Sequence, residues 1–128
     1  VADRAIKTEQ NSIKRKNTMQ SETVEIAQIR LRRGVTEEDF LAAFQRFVDG
    51  FARQQPGFLK CRLLKKENGE FVNLVHWVTR SDAINAFDRA TQNAACLAFF
   101  ELLEVDEADA SSGVEYLTTI LSEPAGFR

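Results

Sequence analysis

Apolar positions along the chain recur with a period of two in some stretches and with helical spacing in others, and the two periods predict the elements. Residues 23–33 alternate as a strand: Ala27, Ile29 and Leu31 share one face, while Val24, Ile26, Gln28 and Arg30 share an amphipathic one. Gly34 ends the strand. Thr36 is placed to cap a helix, with Glu37, Glu38 and Asp39 in the first turn, where acidic groups suit the helix dipole. Val35 and Phe40 occupy the two positions of a hydrophobic staple. Phe40, Phe44, Phe47, Val48 and Phe51 then repeat at helical spacing, and the run stops at Gln54, Gln55, Pro56 and Gly57. Ser81 is expected to cap a second helix with Ile84, Phe87 and Ala90 on its buried stripe. Thr91, Gln92 and Asn93 break it before a short segment over 94–103, and residues 114–121 form a last strand.

Between the helices lies a hairpin, residues 58–79. Asn68-Gly69 between alternating apolar runs is a strong hairpin signal, because a type I′ turn needs positive φ at both central positions. If those two residues are the whole loop, Lys65 faces Val72, Leu63 faces Leu74, Cys61 faces His76 and Leu59 faces Val78. That register puts Leu59, Cys61, Leu63, Val72, Leu74, His76 and Val78 on one nearly apolar face, expected under the helices. Phe58, Lys60, Arg62, Leu64, Phe71, Asn73, Val75, Trp77 and Thr79 then share the other face. A slip of one residue exchanges the sets.

The order strand, helix, strand, strand, helix, strand predicts an α+β chain: a ferredoxin-like βαββαβ fold with a four-stranded antiparallel sheet. Two helices cover one face of such a sheet. The other would keep too much apolar area to stay wet, so a second copy is expected to cover it, giving a homodimer. In this reading Gln28, Arg30, Asn73, Val75 and Trp77 lie at the dimer interface.

Composition narrows the class. The chain has 128 residues, 44% of them hydrophobic, and a net charge of −2. That suits one globular domain and gives no general pull toward nucleic acid or an anionic membrane. No apolar run approaches a membrane span, and no signal-peptide core stands near the start. Cys61 and Cys96 lack framework spacing, which suggests reduced thiols and a cytoplasmic protein. Residues 1–20 are expected to be a basic flexible extension; Lys14, Arg15 and Lys16 in it bind anions weakly at most. Met19 is the only methionine, and the compact domain is expected to start near it and run over 21–122, leaving 123–128 as a tail. Asp106 to Asp109 spell a tetrapeptide familiar from helicases, but no Gly-rich phosphate loop with lysine accompanies it.

Several segments together resemble the antibiotic biosynthesis monooxygenase-like domains of the dimeric α+β barrel superfamily. They are the strand from Glu25 to Gly34 followed by Thr36 to Phe40, then Gln55 to Phe58, and His76 to Ala83. The likeness covers about residues 22–121. It implies a pocket between the sheet and its own helices, in which relatives oxygenate aromatic polyketides without cofactor, oxidise quinols or degrade haem. The haem-degrading branch uses an asparagine on the first strand, a tryptophan inside the second helix and a histidine ten residues later. Those positions fall near Ala27, Ala86 and Cys96 here, so that activity is not expected.

His76, the only histidine, is the candidate catalytic residue, since an imidazole titrates near working pH and could orient or deprotonate a phenol. The plainer account is a buried imidazole satisfied by a carbonyl or hydroxyl. Cys61, Phe44, Phe47, Phe99 and Phe100 are expected to line the pocket. A Cys61–His76 nucleophile or zinc site lacks its further members, so neither metal nor cofactor is expected. Three readings remain on the residues alone: an oxygenase-like enzyme for an aromatic or quinone-type molecule, a non-catalytic module that binds or senses an apolar ligand, and a structural dimer with a filled core.

Overall fold

The computed structural model describes residues 22–104 and 113–123. Strand β1 (Thr23–Ile29) leads to helix α1 (Glu37–Gly50) and a short 3-10 turn (Ala52–Gln54). Strands β2 (Phe58–Lys65) and β3 (Phe71–Trp77) form the hairpin. Helices α2 (Arg80–Ala90) and α3 (Ala94–Phe100) precede strand β4 (Val114–Thr118). The sheet runs β2-β3-β1-β4, antiparallel throughout, so the ferredoxin-like α+β expectation holds. The predicted basic extension, residues 105–112 with the Asp106 to Asp109 tetrapeptide, and most of the tail lie outside the described residues. Among the described residues, no helix is long and apolar enough to cross a membrane.

Local chemistry sets the helix ends. Thr36 caps α1 by accepting from the Asp39 N–H at 3.1 Å. The second helix is capped by Thr79, not Ser81: its hydroxyl accepts from the Asp82 N–H at 3.1 Å, and the helix begins at Arg80. The buried stripe of α2 is Ala83, Ala86 and Ala90, while Ile84 and Phe87 are 40% and 38% exposed. Three small residues on the buried stripe let α2 approach the sheet closely over Val75 and Trp77. Asn93 caps α3, accepting from the Cys96 N–H at 3.0 Å.

The phenylalanine stripe of α1 is the main core. Phe40 is 0% exposed and its ring lies 4.8 Å from Phe71, 5.9 Å from Phe99 and 6.1 Å from Phe44. Phe47 stacks on Phe99 at 4.9 Å and so ties α1 to α3.

The hairpin departs from expectation at its turn. Lys66 N–H donates to Glu70 O at 2.7 Å, so three residues, Glu67, Asn68 and Gly69, form the loop. Within the loop only Gly69 has positive φ, +92°; no non-glycine residue among those described does. Asn68 uses its side chain instead, accepting the Glu70 N–H at 2.9 Å. A three-residue loop with its last residue left-handed competes with the two-residue type I′ turn for the same Asn-Gly signal. The extra loop residue shifts the pairing by one, to Lys65 with Phe71, Leu63 with Asn73 and Cys61 with Val75.

Every side chain of β3 therefore lies on the face opposite to the one expected. Phe71, Asn73, Val75 and Trp77 are buried under the helices, 4–7% exposed, while Val72, Leu74 and His76 face away. Cys61 and Leu63 on β2 keep the expected face. A bulge at Leu59 then resets β2, pairing Phe58 with Trp77 and turning Phe58 inward. Its ring meets Trp77 edge-on at 5.9 Å, and Leu59 is left exposed. Gly57, at φ +83°, makes the entry turn; a Cβ there would run into the Asp82 side chain.

Replacing Phe40 by alanine is expected to lower unfolding free energy by about 3–5 kcal/mol, measured by urea denaturation, because helices and sheet both rest on that ring.

Candidate active site

A cavity of about 580 Å³ opens between the sheet and the helices. Its wall is largely apolar. Phe47 and Phe51 come from α1 and its end, Ala83, Ala86 and Ala90 from α2, and Phe99 and Phe100 from α3. The sheet supplies the floor, which carries the polar groups. Glu25 on β1 faces Val75 across the ladder, so Asn73 and Trp77 are its two diagonal neighbours on β3. All three line the cavity.

Trp77 Nε1 donates to Glu25 Oε1 at 2.8 Å. Burial pushes the Glu25 carboxyl above its ordinary value, and the Trp77 hydrogen bond opposes that rise. On the other side of Glu25, across β4, stands Tyr116, with the Arg80 guanidinium 5.5 Å from its ring centroid. The Tyr116 hydroxyl is pushed up by burial and by Glu25, against Arg80. Asn73 Oδ1 accepts from the Cys61 thiol at 3.0 Å. The Cys61 thiol is pushed up to about 11, by burial first and by Glu25 second, so it stays protonated near neutrality.

The residues expected from sequence scatter. Phe47, Phe99 and Phe100 line the cavity. Phe44 packs in the core, and Cys61 sits beneath Asn73; neither is among the lining residues. His76 is a correction: the one-residue register change puts it on the open face. There its Nδ1 lies 2.8 Å from Glu22 Oε2, away from the cavity floor. Asn73, Val75 and Trp77 are the converse correction. They leave the expected dimer interface and form the floor. Gln28 and Arg30 remain exposed at the cavity's lining, with Arg30 Nε paired to Glu70 at 2.7 Å. Glu25 was missed, although it shares the parity of Ala27 and Ile29; a carboxylate on the covered face of a strand was the available signal. Among the described residues, no three of His, Cys, Asp and Glu gather as a metal site.

A phenylalanine-walled cavity of this size suits a small aromatic molecule, and a carboxyl raised by burial at its floor suits proton transfer. The fold and this cavity define a sheet-and-helix pocket protein of the ferredoxin-like class. The family model "Antibiotic biosynthesis monooxygenase" matches residues 23–102, and the chain belongs to that family. The chain matches no curated protein sequence. Among solved structures it is similar to SnoaB, a cofactor-independent oxygenase from Streptomyces nogalater, in a form with one asparagine changed to alanine. The two are 16% identical, with a TM-score of 0.59, over 83% of this chain and 98% of that one. It is also similar to a putative antibiotic biosynthesis monooxygenase from Bordetella bronchiseptica, at 19% identity and TM-score 0.56, over 79% of this chain and 99% of that one. A third, from Nitrosomonas europaea, has 16% identity and TM-score 0.53, over 76% and 86% of the two chains. At these identities the likeness carries the fold.

Because the folded pKa of Glu25 is raised, the native state favours its protonated form. Stability contributed this way is complete below the ordinary carboxylate value of 4.5 and is lost as pH rises through the raised value. Urea unfolding at stepped pH is expected to show the wild type losing stability relative to Glu25→Gln across that interval; parallel profiles would contradict the buried-carboxyl assignment.

Proposed function

We propose that the protein is a small cofactor-independent monooxygenase acting on an aromatic or quinone-type molecule held between the sheet and its own helices. The observation that carries this reading is the Trp77–Glu25 pair on the floor of a phenylalanine-walled cavity. Family membership supports the reaction class, and the cavity supports the substrate class. Glu25 replaces His76 as the residue assigned to proton transfer. In the reaction, its carboxylate takes a proton from an activated methylene of the substrate, and the aromatic system holds the resulting negative charge. Trp77 Nε1 steadies one carboxylate oxygen, leaving Oε2 for the proton. Dioxygen, the co-substrate, accepts electrons from the substrate anion. One oxygen atom ends as a carbonyl on the former methylene carbon, and the other leaves as water with the two protons released. The walls exclude bulk water from the anion.

Oxygen uptake with hydroxylated anthrones and other aromatic ketones that carry an activated methylene, in metal-chelated buffer, tests the reading. Turnover is expected with at least one of these, and Glu25→Gln is expected to lower kcat about a hundredfold with a smaller change in KM. A ligand that binds the cavity and is recovered unchanged with every substrate class would mark a binding or sensing module instead.

A dimer would form through a different set of residues from those expected. The open face carries Val24, Ile26, Leu64, Val72, Leu74 and Leu117, which adjoin in rows across the sheet. A second copy stacked on that face would cover them, as the resemblance to dimeric barrels implies. Wild-type protein is expected to sediment as a dimer at micromolar concentration, and Leu74→Asp to weaken association by roughly a hundredfold or more, since it buries a charge. A monomeric wild type would overturn the dimer.

A further inference from the structure

Two hydrogen-bonding atoms on the cavity floor are already engaged. Glu25 Oε1 accepts from Trp77, and Asn73 Oδ1 accepts from Cys61. An asparagine amide has two chemically opposite ends, and the pairing decides which end a ligand meets. Asn73 is only 7% exposed and lines the cavity. Among the described residues nothing accepts from its Nδ2. Among the described residues, every buried side-chain nitrogen or oxygen cut off from solvent has a partner, so Nδ2 is open to solvent. An amide N–H₂ on an otherwise apolar wall can donate to a ligand oxygen that displaces the water there.

We propose that Cys61 is a positioning residue: its thiol, donating to Asn73 Oδ1, turns the amide so that Nδ2 faces the cavity, and the cavity therefore selects an uncharged ligand with a carbonyl oxygen at that point. Cys61 reaches Asn73 because the three-residue loop makes them diagonal neighbours on the covered face. Its thiol, pushed up to about 11 by burial and then by Glu25, remains the donor near neutral pH. The charge preference follows from the lining. Among the described residues of the lining, Glu25, Glu70 and Glu104 contribute carboxyls, and the one cation, Arg30, is paired with Glu70. A carboxylate or phosphate would meet like charge there. The inference rests on reading the cavity as an aromatic-molecule site, but not on turnover.

The chain has one tryptophan, so the Trp77 indole N–H gives a single nuclear magnetic resonance signal located in the site. Titrating the full chain with 1-indanone and with indane compares two ligands that differ by one carbonyl. The ketone is expected to bind about tenfold more tightly than the hydrocarbon and to shift the Asn73 side-chain N–H₂ signals. Cys61→Ala should reduce the preference to under about threefold by freeing the amide, and Cys61→Ser should restore it by supplying another donor. A wild type without preference, or a preference unchanged in Cys61→Ala, overturns the proposal while leaving the aromatic site intact. If neither ligand binds, the aromatic-site reading itself fails, and the thiol's infrared S–H band then decides the positioning claim. The Cys61 band, isolated by difference from Cys61→Ser, is expected at a hydrogen-bonded position and should move to a free-thiol position in Asn73→Leu. A band that does not move overturns it.

Discussion

The hydrogen bond from Lys66 N–H to Glu70 O sets which side of the hairpin is dry. It closes a loop of three residues, and the loop length fixes the offset between β2 and β3. Side chains in a strand alternate strictly, so that offset determines the face of every residue on β3 at once. Asn73, Val75 and Trp77 go under the helices together; Val72, Leu74 and His76 go outward together. Gly69 permits this loop at little steric cost, because its left-handed conformation has no Cβ to clash.

From that offset the site follows. Cys61 lies diagonal to Asn73, and Glu25 lies between Asn73 and Trp77, so four side chains from three strands meet on one patch of the covered face. Their engagement is pairwise: indole to carboxyl, thiol to amide. The helices complete the enclosure differently along its length. Phenylalanines from α1 and α3 fill space near one part of the sheet, whereas the alanines of α2 leave room for the indole and seat the helix close above it. Burial then does the electrostatic work. It raises the Glu25 carboxyl, the Tyr116 hydroxyl and the Cys61 thiol together, because water cannot solvate their charged forms. A cavity lined by carboxyls, with a thiol held as a donor, favours uncharged molecules with polar edges.

The same offset leaves the opposite face with an apolar middle and a polar border. His76 and Glu22 pair there, close to Val24 and Leu117. Histidine on that face is held by its carboxylate neighbour and has no route to the cavity through the sheet. The two sides of the sheet thus differ in kind: one encloses a small volume with chemistry on its floor, and the other presents a broad surface.

Much of this was legible in the residues. The element order, the capped phenylalanine helix, the break at Thr91 to Asn93 and the family segments all follow from local signals, since capping, helical periodicity and turn formation depend on neighbours within a few positions. The faces of β1 were also readable, and Glu25 could have been placed on the covered side by parity with Ala27 and Ile29. The β3 face was not readable. Val72, Leu74 and His76 are as plausible a buried set as Phe71, Val75 and Trp77, and Asn-Gly suits two loops that differ by one residue. Only the packed structure chose between them, because that choice depends on which set of side chains the helices can cover, an energy shared by the whole domain. The tertiary fold therefore decided that tryptophan and asparagine, not histidine, would meet the cavity.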